Sequence, residues 1–172
     1  MRSTQKPNLT PRNPDFMPEM SATEREFHRK IAKQCFNNTW DLLEKKDRTG
    51  EDDKQMLLLT HTSRYHWGLI GDASNLAVGE WQVARVYAEL KESDSSLLFA
   101  KSSLDLCLKN KLTDLLSSAY EGMARAYASA HDSQQARDYI AKAREELESV
   151  KDKEDRAIYQ QQINDTEQLI DH

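Results

Sequence analysis

The distribution of proline constrains the fold of this 172-residue chain more than any other feature. The four prolines are Pro7, Pro11, Pro14 and Pro18, and none occurs after them. Proline lacks the backbone N–H donor and interrupts both helices and central strands. A long stretch without proline, rich in alanine and long polar side chains, therefore predicts helices. Strictly alternating runs of β-branched and aromatic residues are missing from the sequence, which argues against a sheet.

Composition excludes several classes of protein. Hydrophobic residues make up 38% of the chain and charged residues 31%, with a net charge of −5. No run approaches the roughly 20 apolar residues of a membrane-spanning helix, so we expect no membrane partner. The acidic balance, without a basic stripe, argues against nucleic acid. The absence of an apolar leader predicts a cytoplasmic protein, with Cys35 and Cys107 as reduced thiols.

The chain divides into an arm and one domain. Residues 1–20 are rich in proline and asparagine without apolar periodicity, and we interpret them as a flexible N-terminal arm. Residues 21–172 are expected to form a single all-α domain of about seven helices. Ser21 and Glu24 have the spacing of a capping box, a polar loop is expected over 47–53, and Ser93 with Asp94 should cap the fourth helix.

An internal repeat is visible in the middle of the chain. The segment VARVYAEL at 83–90 aligns with MARAYASA at 123–130, so the two segments are related by an offset of 40. Further on, Ala100-Lys101 aligns with Ala141-Lys142 at an offset of 41, which indicates that one loop differs in length. Repeated helix pairs of this kind predict stacked antiparallel helical hairpins.

The second copy resembles the tetratricopeptide repeat. It has that family's succession of large, small and aromatic residues at the family's spacing, in Tyr120, Met123, Ala124, Tyr127, Ala136, Ile140 and Ala143. The first copy fits less well, and residues 21–70 match only as a helix pair, with Trp40 where tyrosine is expected. The resemblance implies a superhelix of stacked hairpins, closed here by a polar seventh helix, that binds a protein or peptide without catalysis. The stretch 61–90 also resembles small uncharacterised bacterial proteins.

The resemblance also implies which residues would contact a partner. In such grooves the position after the small core residue lines the concave surface, and Arg85 and Arg125 occupy it, with Asn38 in the first hairpin. Trp81 and Glu121, one turn earlier, would line the same surface. Arginine can bind a carboxylate with two parallel hydrogen bonds, so we expect an acidic or carboxylate-bearing partner. The alternative is that these arginines are solvated and form salt bridges with Glu121, Asp114 or Glu89.

A polar and aromatic cluster at 61–67 contains the other side chains that could bind a ligand or take part in catalysis. His61 and Arg64 are three positions apart on one helix face and form a secondary candidate anion site. A rival hypothesis is a small-ligand-binding bundle or enzyme that uses His61, Arg64, His66 and Trp81, and a third is a self-assembling structural protein.

The sequence offers little for catalysis or for a cofactor. Glu24 and His28 are four positions apart, but a second pair of metal ligands is missing, and no glycine-rich phosphate loop is present. Ser63 lies near His61 without any sign of a nucleophile elbow or an oxyanion hole. We therefore expect neither an enzyme nor a cofactor, and leave a homo-oligomer open.

Overall fold

The computed structural model describes residues 20–170, in which every regular element is an α-helix. The helices are α1 (Ala22–Leu43), α2 (Gly50–Ile70), α3 (Ala73–Glu89), α4 (Ser93–Asn110), α5 (Thr113–Ser129), α6 (Ser133–Leu147) and α7 (Lys153–Ile170). The predicted all-α fold of seven helices packed in adjacent pairs is confirmed. The predicted arm, residues 1–20, lies outside the described residues except for Met20.

Side-chain caps determine where the first two helices begin. The predicted capping box is present at α1, where Ser21 N donates to a carboxylate oxygen of Glu24 at 2.8 Å. An unpredicted box starts α2, because Thr49 Oγ1 accepts from the backbone N–H of Asp52 while the Asp52 carboxylate accepts from Thr49 N. The expected loop over 47–53 is therefore too long, and α2 begins at Gly50.

The fourth helix begins without the expected side-chain cap. Its N-cap is Glu92, and neither Ser93 nor Asp94 takes that role. The turn before it is closed by backbone bonds instead, since Lys91 adopts a left-handed conformation and Glu92 N donates to Tyr87 O at 2.9 Å. Backbone closure of this kind satisfies the carbonyls at the end of α3.

The second and third hairpins repeat at a constant offset of 40 in the sequence. The turn after α5 reproduces the turn after α3, with His131 in the left-handed conformation and Asp132 N donating to Tyr127 O at 3.0 Å. On α6 the buried residue corresponding to Ala100 is Ile140, whereas Ala141 is exposed. The offset of 41 inferred from Ala141 is therefore wrong, and the two loops have equal length.

The first hairpin belongs to the same repeat. In each hairpin a buried serine donates its hydroxyl to a carbonyl of the paired helix. The second hairpin has two such bonds, one of them from Ser96 Oγ to Ala84 O (2.9 Å). One bond in each hairpin lies at the same level of the repeat. The three bonds are Ser63 Oγ to Ala32 O (2.9 Å), Ser103 Oγ to Ala77 O (2.8 Å) and Ser117 Oγ to Ala143 O (2.8 Å). In the third hairpin the serine is on the first helix instead of the second, at the same level of the repeat. Small residues at this level allow the two backbones to approach closely.

The seventh helix packs against both α5 and α6. Its buried residues are Ile163, Thr166 and Ile170, and most of its remaining side chains are polar. It therefore occupies the place of a further first helix in the stack and covers the inner side of the third hairpin. Among residues 20–170, no helix has the length and apolar character to cross a membrane.

Candidate binding groove

A groove runs along the inner side of α3. A cavity of about 670 Å³ lies between α1, α3 and α7, and a second of about 470 Å³ lies towards the N-terminal end of α3. Phe36 and Val78 line both cavities. Together the cavities follow α3 from Ser74 to Glu89, which is about 22 Å at the helical rise of 1.5 Å per residue.

Asn38 does not take part in this groove, so that expectation is wrong. Its side chain is exposed and lines neither of the two cavities. The serine–carbonyl bonds make Ala32 the equivalent of Ala77. Counted from these alanines, the equivalent of Arg85 in the first hairpin is Trp40. Trp40 lines the larger cavity. This role is not evident from the sequence, because Trp40 aligns there with the tyrosine of the repeat.

Arg85 lies on the floor of the larger cavity. Its guanidinium carbon is 5.0 Å from the ring centre of Trp40 and 5.7 Å from that of Trp81. Its Nη1 is buried with no hydrogen-bond partner, at 3.8 Å from Glu121 Oε1. Burial and the nearby charge of Arg125 lower the pKa of Arg85 to about 10, so the side chain stays charged at neutral pH. The groove thus contains a partly exposed cation, whose unpartnered Nη1 is shielded from solvent.

Glu121 and Arg125 do not line the groove as expected, because both are buried. Glu121 is 1% exposed and Arg125 is 7% exposed. The Glu121 carboxylate accepts hydrogen bonds from Trp81 Nε1 (3.0 Å), Arg125 Nε (2.9 Å) and Thr166 Oγ1 (2.6 Å). Helix α7 supplies Thr166, and it covers the position that the sequence placed on an open concave face.

The ionic cluster keeps Glu121 charged. Burial acts to raise the pKa of this carboxyl, but the charges of Arg125 and Arg85 and the hydroxyl of Thr166 outweigh it, and the pKa falls below its usual value. Two buried arginines then face one buried carboxylate within the cluster. Arg125 therefore forms the salt bridge to Glu121 that the alternative interpretation named, but it is buried and not solvated as that interpretation expected.

The rim of the larger cavity is acidic. Four carboxylates line it with Arg85, namely Glu44, Glu89, Asp155 and Asp165, and Glu89 among them pairs with Arg48 at 3.1 Å. Gln162, on the α7 side, has a buried Oε1 without a hydrogen-bond partner. The cavity therefore has one positive charge, that of Arg85, against the rings of Trp40 and Trp81, and carboxylates around it.

The polar and aromatic cluster at 61–67 does not form a single site. His61 Nε2 lies 3.0 Å from the hydroxyl of Tyr87, and burial lowers its pKa. Arg64 Nε donates to Glu80 Oε1 at 2.7 Å, so its charge is already paired. Both side chains join α2 to α3 as helix–helix contacts. The expectation of a shared anion site at His61 and Arg64 is wrong, since each bonds to a different residue of α3.

The rival four-residue cluster is divided in the same way. His66 pairs with His28 of α1, while Trp81 bonds to Glu121 of α5. Together with the separate partners of His61 and Arg64, this leaves no common pocket for the four side chains. The structure thus gives no assembled site for the small-ligand or enzyme hypothesis based on them.

Comparisons with protein-family models, with curated proteins and with solved structures found no match. The resemblance to the tetratricopeptide repeat therefore stays a prediction from the sequence. The functional argument depends on the groove and on the residues that line it.

Proposed function

We propose that the protein is a non-catalytic binding module of tetratricopeptide-like type, which takes an extended protein segment into the groove along α3. The observation that carries this proposal is the Arg85 side chain, which is 15% exposed and lines the larger cavity against the rings of Trp40 and Trp81. A groove of about 22 Å accommodates six or seven residues of extended chain at roughly 3.3 Å each. Phe36 and Val78, between the two cavities, offer an apolar contact for its side chains.

The chemistry of Arg85 favours a carboxylate on the partner. The buried cluster contains two guanidinium groups and one carboxylate, so one positive charge lacks a close counterpart within it. A partner carboxylate that reaches the exposed part of the Arg85 side chain supplies the missing charge, while Nη1 itself is shielded from the groove. Hydrogen bonds to charged groups contribute about 1.5–3 kcal/mol, enough for selectivity of ten-fold or more.

The rim limits how acidic the partner can be. Glu44, Asp155 and Asp165 repel a segment with several carboxylates, because like charges at an interface reduce both the rate of association and the affinity. The proposal is therefore narrower than the sequence-based expectation. The preferred segment carries one carboxylate, from a C-terminus or a single acidic side chain, between neutral or basic residues. A cytoplasmic location fits the two cysteines, both of which are free thiols.

A peptide library displayed with free C-termini tests this proposal. Selection on the wild-type protein should enrich segments with a carboxylate flanked by lysine or arginine, and fluorescence polarisation then measures the affinity of the enriched peptides. Arg85→Gln should weaken binding by at least about ten-fold, as expected from the loss of one charged hydrogen bond. Arg29→Gln is the matched control, because Arg29 lies on exposed α1 surface and pairs with Glu26.

A second variant tests the groove without altering the ionic cluster. Val78→Lys places a long side chain between the two cavities and should abolish binding while leaving the melting temperature close to that of the wild type. Enriched peptides that bind Arg85→Gln and Val78→Lys as tightly as the wild type would contradict the proposal. Failure to enrich any peptide, together with a concentration-dependent dimer in sedimentation, would favour self-assembly instead.

A further inference from the structure

His28 and His66 face each other across the α1–α2 hairpin. Their Nδ1 atoms are 2.7 Å apart, and the ring centres are 4.8 Å apart with an angle of 43° between the planes. At this distance one Nδ1 carries the proton and the other accepts it. Phe27 contacts both imidazoles edge-on, and Tyr65 contacts His66 in the same manner. The two Nδ1 atoms thus face each other, flanked by the exposed rings of Phe27 and Tyr65.

We propose that His28 and His66 together bind one divalent transition metal ion through their Nδ1 atoms. Neutral imidazole suits Zn²⁺, Ni²⁺ and Cu²⁺. At metal–nitrogen distances of about 2.0–2.1 Å, two adjacent ligands of a tetrahedral or octahedral ion lie roughly 2.9–3.4 Å apart. The observed separation needs an opening of only a few tenths of an ångström. The proton on one Nδ1 moves to Nε2 of the same ring, so both rings bind as neutral ligands.

The site has two protein ligands, and water completes the coordination shell. Glu24, one turn before His28, is occupied at the helix start, where its carboxylate accepts from Ser21 N and Ser21 Oγ at 2.8 Å each. Within residues 20–170, no three histidine, cysteine or acidic side chains are grouped so as to hold a metal ion. Two ligands give a moderate affinity, which should follow the general order with Cu²⁺ above Ni²⁺ and Zn²⁺. The pair is not evident from the sequence, because its second ligand comes from another helix.

Thermal unfolding with ZnCl₂ tests the proposal. Zinc that binds the folded chain should raise the melting temperature by roughly 5–10 °C when its concentration is about 100 times the dissociation constant. His28→Gln and His66→Gln should each remove this rise. His131→Asn is the control and should keep it, because His131 is exposed in a left-handed turn that asparagine accepts. A rise that persists in both His28→Gln and His66→Gln overturns the proposal.

A second measurement on the unmodified chain removes any dependence on the folding of the variants. Two-dimensional NMR of the histidine rings should show shifts for His28 and His66 on addition of ZnCl₂, saturating at one equivalent. His61 and His131 should not shift, since His61 is packed against Tyr87 and Phe99 and His131 lies at the far turn. Shifts confined to the other histidines, or no shift at any ring, contradict the assignment.

Discussion

Trp81 donates a hydrogen bond of 3.0 Å from its indole Nε1 to Glu121 Oε2, and these two residues occupy the same position in consecutive repeats. The contact between the second and third hairpins is therefore partly ionic, because Glu121 also pairs with Arg125. Helix α7 completes the cluster through Thr166. One buried carboxylate thus ties α3, α5 and α7 together.

Arg125→Met should destabilise the protein by about 3–5 kcal/mol, because it removes the closest positive charge from a buried carboxylate. Urea denaturation followed by circular dichroism measures the loss. Arg29→Met is the control and should cost no more than about 1 kcal/mol, since its ion pair with Glu26 is exposed. If the stability of Arg125→Met lies within about 1 kcal/mol of the control, Arg125 does not hold the fold, and its place in the groove must be reconsidered.

Thr166→Val tests whether α7 is held by the same cluster. The change keeps the shape of the side chain but removes the hydroxyl that donates to Glu121, and leaves that carboxylate with one buried bond fewer. We expect a loss of about 1–3 kcal/mol in the free energy of unfolding. Thr39→Val should cost less, because Thr39 is equally buried but its hydroxyl bonds only to Cys35 O of its own helix. Equal losses in the two variants would show that the cluster gives α7 no special attachment.

Helix periodicity and the repeat were predictable because both depend on the spacing of apolar and small residues along the chain. Ala84 and Ala124 are fully buried as the alignment of the second and third hairpins requires. The register of the first hairpin was not predictable from its aromatic residue. The connection from α1 to α2 is longer than the turns that follow α3 and α5, so Trp40 falls at the level of Arg85 instead of Tyr87. The small pair Ala32 and Ser63 carries the true register, but such residues give a weak signal in the sequence.

The burial of Glu121 and Arg125 could not be predicted from the sequence of α5 alone. By spacing alone they lie on the face of α5 that a concave surface would expose. They are covered by α7, which begins only at Lys153, after the whole of α6, and which packs against both α5 and α6. Which helix covers a polar face depends on tertiary packing, and a single sequence does not encode it in any local pattern.

Gly122→Ala should destabilise the stack. A Cβ atom at this position would lie 2.7 Å from Cδ1 of Trp81, closer than such atoms approach in proteins, so the buried indole must move. Overpacking of this kind costs about 1–3 kcal/mol, and displacement of the indole would also weaken its bond to Glu121. Gly50→Ala is the matched control, since nothing lies within 4 Å of its added Cβ and alanine favours helix. Equal or greater stability of Gly122→Ala would show that Trp81 is not confined there.

Stability should fall as the pH is lowered from about 7.5 to 5.5. Burial lowers the pKa of His61, against a smaller opposing effect of Glu80, and burial together with His28 lowers the pKa of His66. The unfolded chain therefore binds protons near its ordinary pKa of about 6.5, before the folded chain does, so acidification favours unfolding. Urea denaturation across this range measures the slope. His66→Gln should reduce that slope, and a slope of the opposite sign would contradict the lowered pKa values.

Lys91→Gly combined with His131→Gly should stabilise the protein. Both residues end a helix in the left-handed conformation, with φ of 62° and 58°. For a residue with a Cβ atom that conformation costs about 1–2 kcal/mol, which glycine avoids. Glycine also gives the unfolded chain more conformational freedom, which lowers the stability of the fold by about 0.4–1 kcal/mol. The net gain is therefore roughly 0.5–1 kcal/mol at each turn, and for the pair it should raise the melting temperature by about 2–8 °C. Lys109→Gly, in the last turn of α4, is the control: glycine inside a helix should cost about 1 kcal/mol and lower the melting temperature. Calorimetry of the three proteins compares them directly, and a lowered melting temperature for the double variant would show that Lys91 and His131 make contacts worth more than the strain they bear.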